Sequence, residues 1–298
     1  MDEAPIPVEE VYRSNRKDCM HYAMVLEAAG IPCQIRKKFG EFIIVAPASL
    51  IAQARGEIEA YASENRASPL VITTVLEPSS GWVGVFGYAI VLLLMFLLER
   101  HGILSERWLD AGKTHAGLIR QGEWWRAVTA LSLHGDLVHL VANIGAGGLI
   151  GLFAGQLLGS GFAWFSILLA GTVGNLLNAW IRDLRHTSVG ASTSVFAAFG
   201  IVAAFVAIQR RHARTSRFVR YAPIVGAVVL LSYLGTSGER TDVLAHVAGF
   251  LAGLLLGALY GMLGDRIRMR ARTQFLYGFG AVALLGLAWL TALTRLGI

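Results

Sequence analysis

Residues 137–181, LVHLVANIGAGGLIGLFAGQLLGSGFAWFSILLAGTVGNLLNAWI, run for 45 positions without Asp, Glu, Lys or Arg. A bilayer core is crossed by about 20 apolar residues rising about 1.5 Å each. This stretch therefore holds two spans, with the turn expected at Gly159-Ser160-Gly161. The pattern repeats outward from it. Uncharged runs cover Pro78–Leu98, His186–Gln209, Tyr221–Gly238, Val243–Gly264 and Thr273–Thr294. Together they predict seven helices, over 82–98, 136–157, 162–181, 189–208, 221–236, 243–262 and 275–292. Composition agrees: of 298 residues, 55% are hydrophobic and 15% charged, against about 25% charged in a soluble domain. A disordered, collagen-like or ordinary soluble chain is excluded, and two cysteines are too few for a disulfide scaffold.

The formal charge is +6, but its arginines gather in short loops between apolar runs. That distribution marks a lipid bilayer, not nucleic acid, as the partner. Gln209–Arg220 holds Arg210, Arg211, Arg214, Arg217 and Arg220, and Asp265–Arg272 holds Arg266, Arg268, Arg270 and Arg272. Two spans separate these loops, so both are expected on the cytoplasmic side. Counting back four spans makes the N-terminus cytoplasmic as well; counting forward puts the C-terminus outside. The basic stretch Arg100–Gly135 then falls outside. Trp108, Leu118, Ile119, Trp124 and Trp125 make it amphipathic, so it is expected to lie in the interface.

Residues 1–77 carry charges throughout and contain no span. They read as strand Val8–Ser14, helix Arg16–Ala29, strands Ile31–Lys37 and Glu41–Val45 turning at Phe39–Gly40, and helix Leu50–Asn65. The expected class is thus an all-α polytopic membrane protein with a small N-terminal α+β cytoplasmic domain. Its expected parts are residues 1–77, a membrane domain over 78–264, and a basic loop with one extra helix over 265–298. Asp2, Glu3, Glu9 and Glu10 argue against a secretory signal. Cys19 and Cys33 read as buried thiols in a reducing compartment rather than a metal site with His21, because no CxxC spacing is present. No metal or nucleotide motif appears, so no cofactor is expected.

Polar side chains inside spans are costly and mark function. His139 and Asn143 lie four apart on the second span and share a face. Ser192 opens the fourth span within Gly190-Ala191-Ser192, and His246 opens the sixth. Spans two, four and six run in the same direction. Counted from Asp136, Arg185 and Asp242, all four residues sit about 5–10 Å below the outer surface. Gly249, Gly253 and Gly257 form a small-residue stripe on the sixth span, and Ala197 and Gly200 give the fourth a small surface. Such surfaces allow close backbone approach.

These residues carry a resemblance. Gly122-Glu123-Trp124-Trp125-Arg126, His134 with His139-Leu140-Val141-Ala142-Asn143, Gly190-Ala191-Ser192, and Ala245-His246-Val247-Ala248-Gly249 occur in the order seen in rhomboid intramembrane serine proteases. The chain resembles that family over about residues 78–262. The N-terminal unit resembles one found ahead of some bacterial rhomboids, and a seventh span after a six-helix core is a known family variation. The resemblance implies multi-pass residence in a bacterial inner membrane and cleavage of transmembrane segments of other membrane proteins near the outer face. It implies a catalytic dyad of Ser192 and His246, with His139, Asn143 and the Ser192 N–H stabilising the oxyanion. Phe196 would orient His246, His134 would line the hydrated cavity or buttress the first loop, Trp125 and Arg126 would shape that loop, and Gly190 and Gly249 belong to the motifs. Asp242, four residues before His246, reads as a helix cap or surface residue. One residue departs from the family: Thr193 stands where glycine usually follows the nucleophile, and its bulk is expected beside the reacting group. Two other readings stay open at this point. One is a non-catalytic rhomboid-like adaptor that binds transmembrane helices, which Thr193 favours. The other is a small-solute transporter, against which the lack of an internal repeat speaks.

Overall fold

A computed structural model of the chain describes residues 7–38, 40–65, 81–102, 107–212, 216–234, 242–264, 271–295 and 297. It divides into two compact units, Met1–Val71 and Ile72–Ile298. The boundary expected at residue 77 and Arg214, Arg266, Arg268 and Arg270 lie outside the described residues.

The first unit is a three-stranded antiparallel sheet with two helices. β1 (Val8–Ser14) and β2 (Gln34–Lys38) flank β3 (Glu41–Pro47), which pairs with both. α1 (Arg16–Ala28) starts where the Asn15 carboxamide accepts the Asp18 N–H at 3.0 Å. Past its end the chain turns at Gly30, whose φ of +75° suits glycine. α2 (Ile51–Asn65) adds Ala54 and Ile58 to a core of Cys19, Leu26, Ile31, Ile44 and Ala46. β2 begins three residues later than expected because Ile31 is buried in that core and Gln34 is the first residue to pair. β3 runs on to Pro47 because Val8 pairs there. Phe39, half of the expected turn, lies outside the described residues. Both thiols point at main-chain carbonyls, Cys19 at Phe42 and Cys33 at Ala23. Burial pushes both thiols above their ordinary range. Among the described residues no metal-ligating cluster forms around them.

The second unit is helical. Among the described residues, six helices are long and apolar enough to cross a membrane: α3 (Trp82–Arg100), α7 (Leu137–Leu158), α8 (Ser160–Ile181), α9 (Ser192–Gln209), α11 (Val243–Leu263) and α12 (Ala271–Arg295). The chain is an integral multi-pass membrane protein. The helix expected over 221–236 starts earlier, as α10 (Arg217–Leu234), and is not among the six. Arg217 and Arg220 occupy its first turn, leaving Tyr221–Leu234 uncharged, about 21 Å of helix. The first loop is not a plain amphipathic stretch. It folds into α4 (Trp108–Gly112), α5 (Ala116–Arg120) and α6 (Trp125–Thr129), with Trp108 and Trp125 buried.

α11 lies against both α9 and α8. Its glycines explain how closely. A Cβ on Gly249, Gly253 or Gly257 would overlap the carbonyl oxygen of Thr193, Ala197 or Ile201 respectively. The four-residue step on each helix matches one turn, so the backbones stay in contact for three turns. The geometry delivers the start of α11 to the start of α9.

Candidate active site

The chain enters α9 through Gly190, whose φ is +133°. A side chain there is strained, and a Cβ would also lie 2.6 Å from Cε1 of His139 and 3.6 Å from Oγ of Ser192. Glycine is therefore required twice, by conformation and by space. Ser192 is the first residue of α9, so its N–H is among the donors that the helix itself leaves unpaired, at the positive end of the helix dipole.

His246 sits in the first turn of α11, buried, and its Nε2 is 2.7 Å from Oγ of Ser192. Phe196, one turn along α9 from the serine, is also buried and places its ring centroid 4.6 Å from the His246 ring. His139 is half-buried over Gly190, with the buried His134 ring edge-on to it at 5.1 Å. His134 Nε2 faces the Ala191 N–H at 3.4 Å. Burial, aided by the neighbouring His139, pushes His134 down to about 3, so its ring is neutral and Nε2 stays an acceptor.

Six of the residues singled out in the sequence thus converge: Ser192, His246, Phe196, His139, His134 and Gly190. Asn143 is buried nearby, but its amide donates to the His139 carbonyl at 3.1 Å on its own helix. Gly249 serves the α9–α11 seam. Trp125 and Arg126 stay in the first loop. Trp125 packs into that loop's core, while Arg126 pairs with Glu123 and donates to the carbonyls of Asp110 and Lys113. The Thr193 methyl is packed toward α8 and α11: its Cγ2 lies 2.8 Å from where a Cβ on Gly174 would sit and 2.9 Å from one on Gly249.

Sequence reasoning missed the surroundings of Asp242. This side chain does cap α11, accepting the Ala245 N–H at 3.3 Å. It also takes Asn178 Nδ2 at 2.6 Å, Arg182 Nη2 at 3.0 Å and His186 Nε2 at 2.7 Å. Burial opposes its charge, but these partners outweigh that and hold the carboxyl below its ordinary range. Asp242 thereby joins the end of α8 and the following loop to the helix that bears His246. The signal was present as two polar residues four apart, Asn178 and Arg182, at the end of an apolar run.

Residues 121–263 match the family model described as Rhomboid domain. The chain is similar to Rhomboid protease GluP of Bacillus subtilis (strain 168), with 29% identity over 167 residues, 55% of this chain and 32% of that protein. It is similar to Rhomboid-like protease 3 of Toxoplasma gondii, with 30% identity over 171 residues, 57% of this chain and 64% of that protein. The matched stretch spans about a third of the length of the first relative and just under two thirds of the second.

Proposed function

The membrane unit belongs to the rhomboid family, and from that premise we propose that the chain is an intramembrane serine endopeptidase. Ser192 is the nucleophile and His246 its base. The observation that carries this reading is the 2.7 Å contact between Ser192 Oγ and His246 Nε2, on two helices joined backbone to backbone.

Ser192 Oγ attacks the scissile carbonyl carbon as His246 Nε2 takes its proton. The carbonyl oxygen becomes an oxyanion facing the Ser192 N–H and His139, and Asn143 joins by giving up its bond to the His139 carbonyl. One such donor is worth about 10²–10³ in rate. Collapse breaks the C–N bond, and His246 returns the proton to the leaving amine. Water then attacks the acyl ester by the same route and regenerates Ser192. Phe196 holds the imidazole ring in place throughout.

The substrates are transmembrane segments of other membrane proteins, cut near the outer face, where water reaches the site without crossing the apolar core. The basic loops favour a cytoplasmic side for residues 1–77, and the Ala-, Gly- and Arg-rich composition suits a bacterium. The test incubates purified protein in detergent micelles with a panel of single-span substrates. The parent is expected to release two fragments, and Ser192→Ala or His246→Ala to lose more than about 10³-fold of the rate. Cleavage persisting in purified Ser192→Ala removes the assignment. A parent that binds the segments and never cuts them points to the adaptor.

A further inference from the structure

We propose that Trp289 on α12 is a positioning residue for the loop that presents Ser192, an inference that rests on the protease reading above. The Trp289 side chain is buried, and its Nε1–H donates to Ser132 Oγ at 3.0 Å. Ser132 in turn donates to the Thr129 carbonyl at 2.7 Å. The segment around Ser132 then makes two bonds toward the nucleophile. The Ala130 carbonyl accepts the Gly190 N–H at 3.0 Å, and His134 Nε2 faces the Ala191 N–H. Ser132 lies between these two acceptors in sequence. One hydrogen bond from α12 therefore steadies a six-residue stretch, 129–134, whose two outgoing bonds fix the pair of residues just before Ser192.

The indole has little freedom. It meets Trp108 nearly edge-on, with centroids 5.0 Å apart and planes at 67°. It also lies over Gly112, where a Cβ would overlap it. α12 has no freedom to slide either. At its other end Gln274 spans the α7–α8 turn, accepting the Phe162 N–H and donating to the Leu158 carbonyl, each at 2.9 Å. Gln274 and Trp289 are 15 residues apart, about 22 Å along the axis. Two fixed points at that separation give the helix a single register.

Trp289 makes no described hydrogen bond to Ser192 or His246, so it acts through the 129–134 segment. What it controls is the aim of the Gly190–Ala191 backbone, and with it the Ser192 N–H and Oγ. A positional error of about 1 Å at such groups costs up to about a hundredfold.

The test compares the parent with Trp289→Phe, which keeps a ring and removes the N–H, and with Ser132→Ala, which removes its acceptor. Three quantities are read on each purified protein: the rate of Ser192 labelling by a fluorophosphonate, kcat and KM on a single-span substrate, and Tm. Both variants are expected to label and turn over about ten- to a hundredfold more slowly, with KM within about twofold of the parent. The double variant should be no slower than the slower single, because both changes cut one connection. Equal labelling rates in parent and variants overturn the inference, as does a rise in KM at unchanged kcat. If Trp289→Phe does not fold, Trp289→Leu, which also removes the N–H, decides in its place, because Ser132→Ala removes the bond to the Thr129 carbonyl as well. A parent that neither labels nor cleaves overturns the protease reading and this inference together; a parent that labels no faster than its variants overturns only the inference.

Discussion

The α9–α11 seam and the contact between α12 and the first loop both position the candidate site, but by different means. On the seam, main chain meets main chain at Gly249, Gly253 and Gly257. Against the first loop, α12 presents the large ring of Trp289 between the small residues Ala288 and Ala292, each at 1% exposure or less. A glycine seam contains no flexible atom that can move aside, so it tolerates no addition. A side-chain contact tolerates deletion, at the cost of a cavity. The pair that must meet within a hydrogen bond, Ser192 and His246, sits on the intolerant contact. The element that adjusts the approach to that pair sits on the tolerant one.

The strongest way to break this contrast is Gly253→Leu. The side chain has to displace the Ala197 backbone, which costs more than about 3 kcal/mol. The expected outcome is little monodisperse protein in detergent and no Ser192 labelling. Trp289→Ala is the companion change. It removes a buried indole and costs about 3 kcal/mol, read as a lower Tm in a protein that still purifies. If Trp289→Ala abolished folding while Gly253→Leu purified normally, the distinction between the two contacts would be lost.

The two contacts also differed in how far they could be read from sequence. The seam was legible because both sides of it repeat locally: glycines every four residues on α11, small residues on α9, and a charge-free run bounding each helix. Ser192, His246 and His139 stood out as candidates for the same reason, as each falls at a defined turn of a predicted span, whereas Phe196 was singled out by the family resemblance alone. The α12 contact was not legible. Trp289 and Ser132 are 157 residues apart, and nothing in the periodicity of either segment points to the other. The first loop was misread for a related reason. Its helices are five residues each, too short to show a repeat, and Trp108 and Trp125 are buried in a cluster with Ala288, Trp289 and Ala292 of α12. Asp242 was half legible: the cap is a local event, but its partners Asn178, Arg182 and His186 lie 56–64 residues away.

Asp242 joins the intolerant region by charge, and Asp242→Asn measures how much charge adds to backbone fit. Asparagine still caps a helix, but its NH2 replaces an oxygen that accepts from two donors, so the loss combines the charge with part of this hydrogen bonding. Arg182 is 38% exposed, which keeps that loss to about 1–2 kcal/mol, below the value for a fully buried pair. The sign with pH follows from the folded carboxyl lying below its usual 3.8. Its contribution is fully present above the unfolded value and disappears as pH falls through the folded one. The Tm gap between parent and Asp242→Asn should thus shrink in acid and close below 3.8. A gap that persisted unchanged into stronger acid would show that shape and not charge holds this corner.

The smallest effect is expected at Thr193, and it tests whether the seam and the reacting face of α9 are separate. The Thr193 methyl packs between Gly174 and Gly249. It is 4% exposed, so Thr193→Ala removes buried contacts and costs about 1 kcal/mol of stability. Glycine at the same position costs somewhat more, because glycine gives up more backbone freedom on folding than alanine does. Neither change touches the groups that face the substrate, so kcat/KM should stay within about twofold of the parent. The comparison is a Tm series beside a cleavage assay on the same three proteins. A large gain in rate for the glycine variant, with Tm unchanged, would mean that the threonine acts on the reacting face after all. The one residue that departs from the family pattern would then govern turnover and not packing.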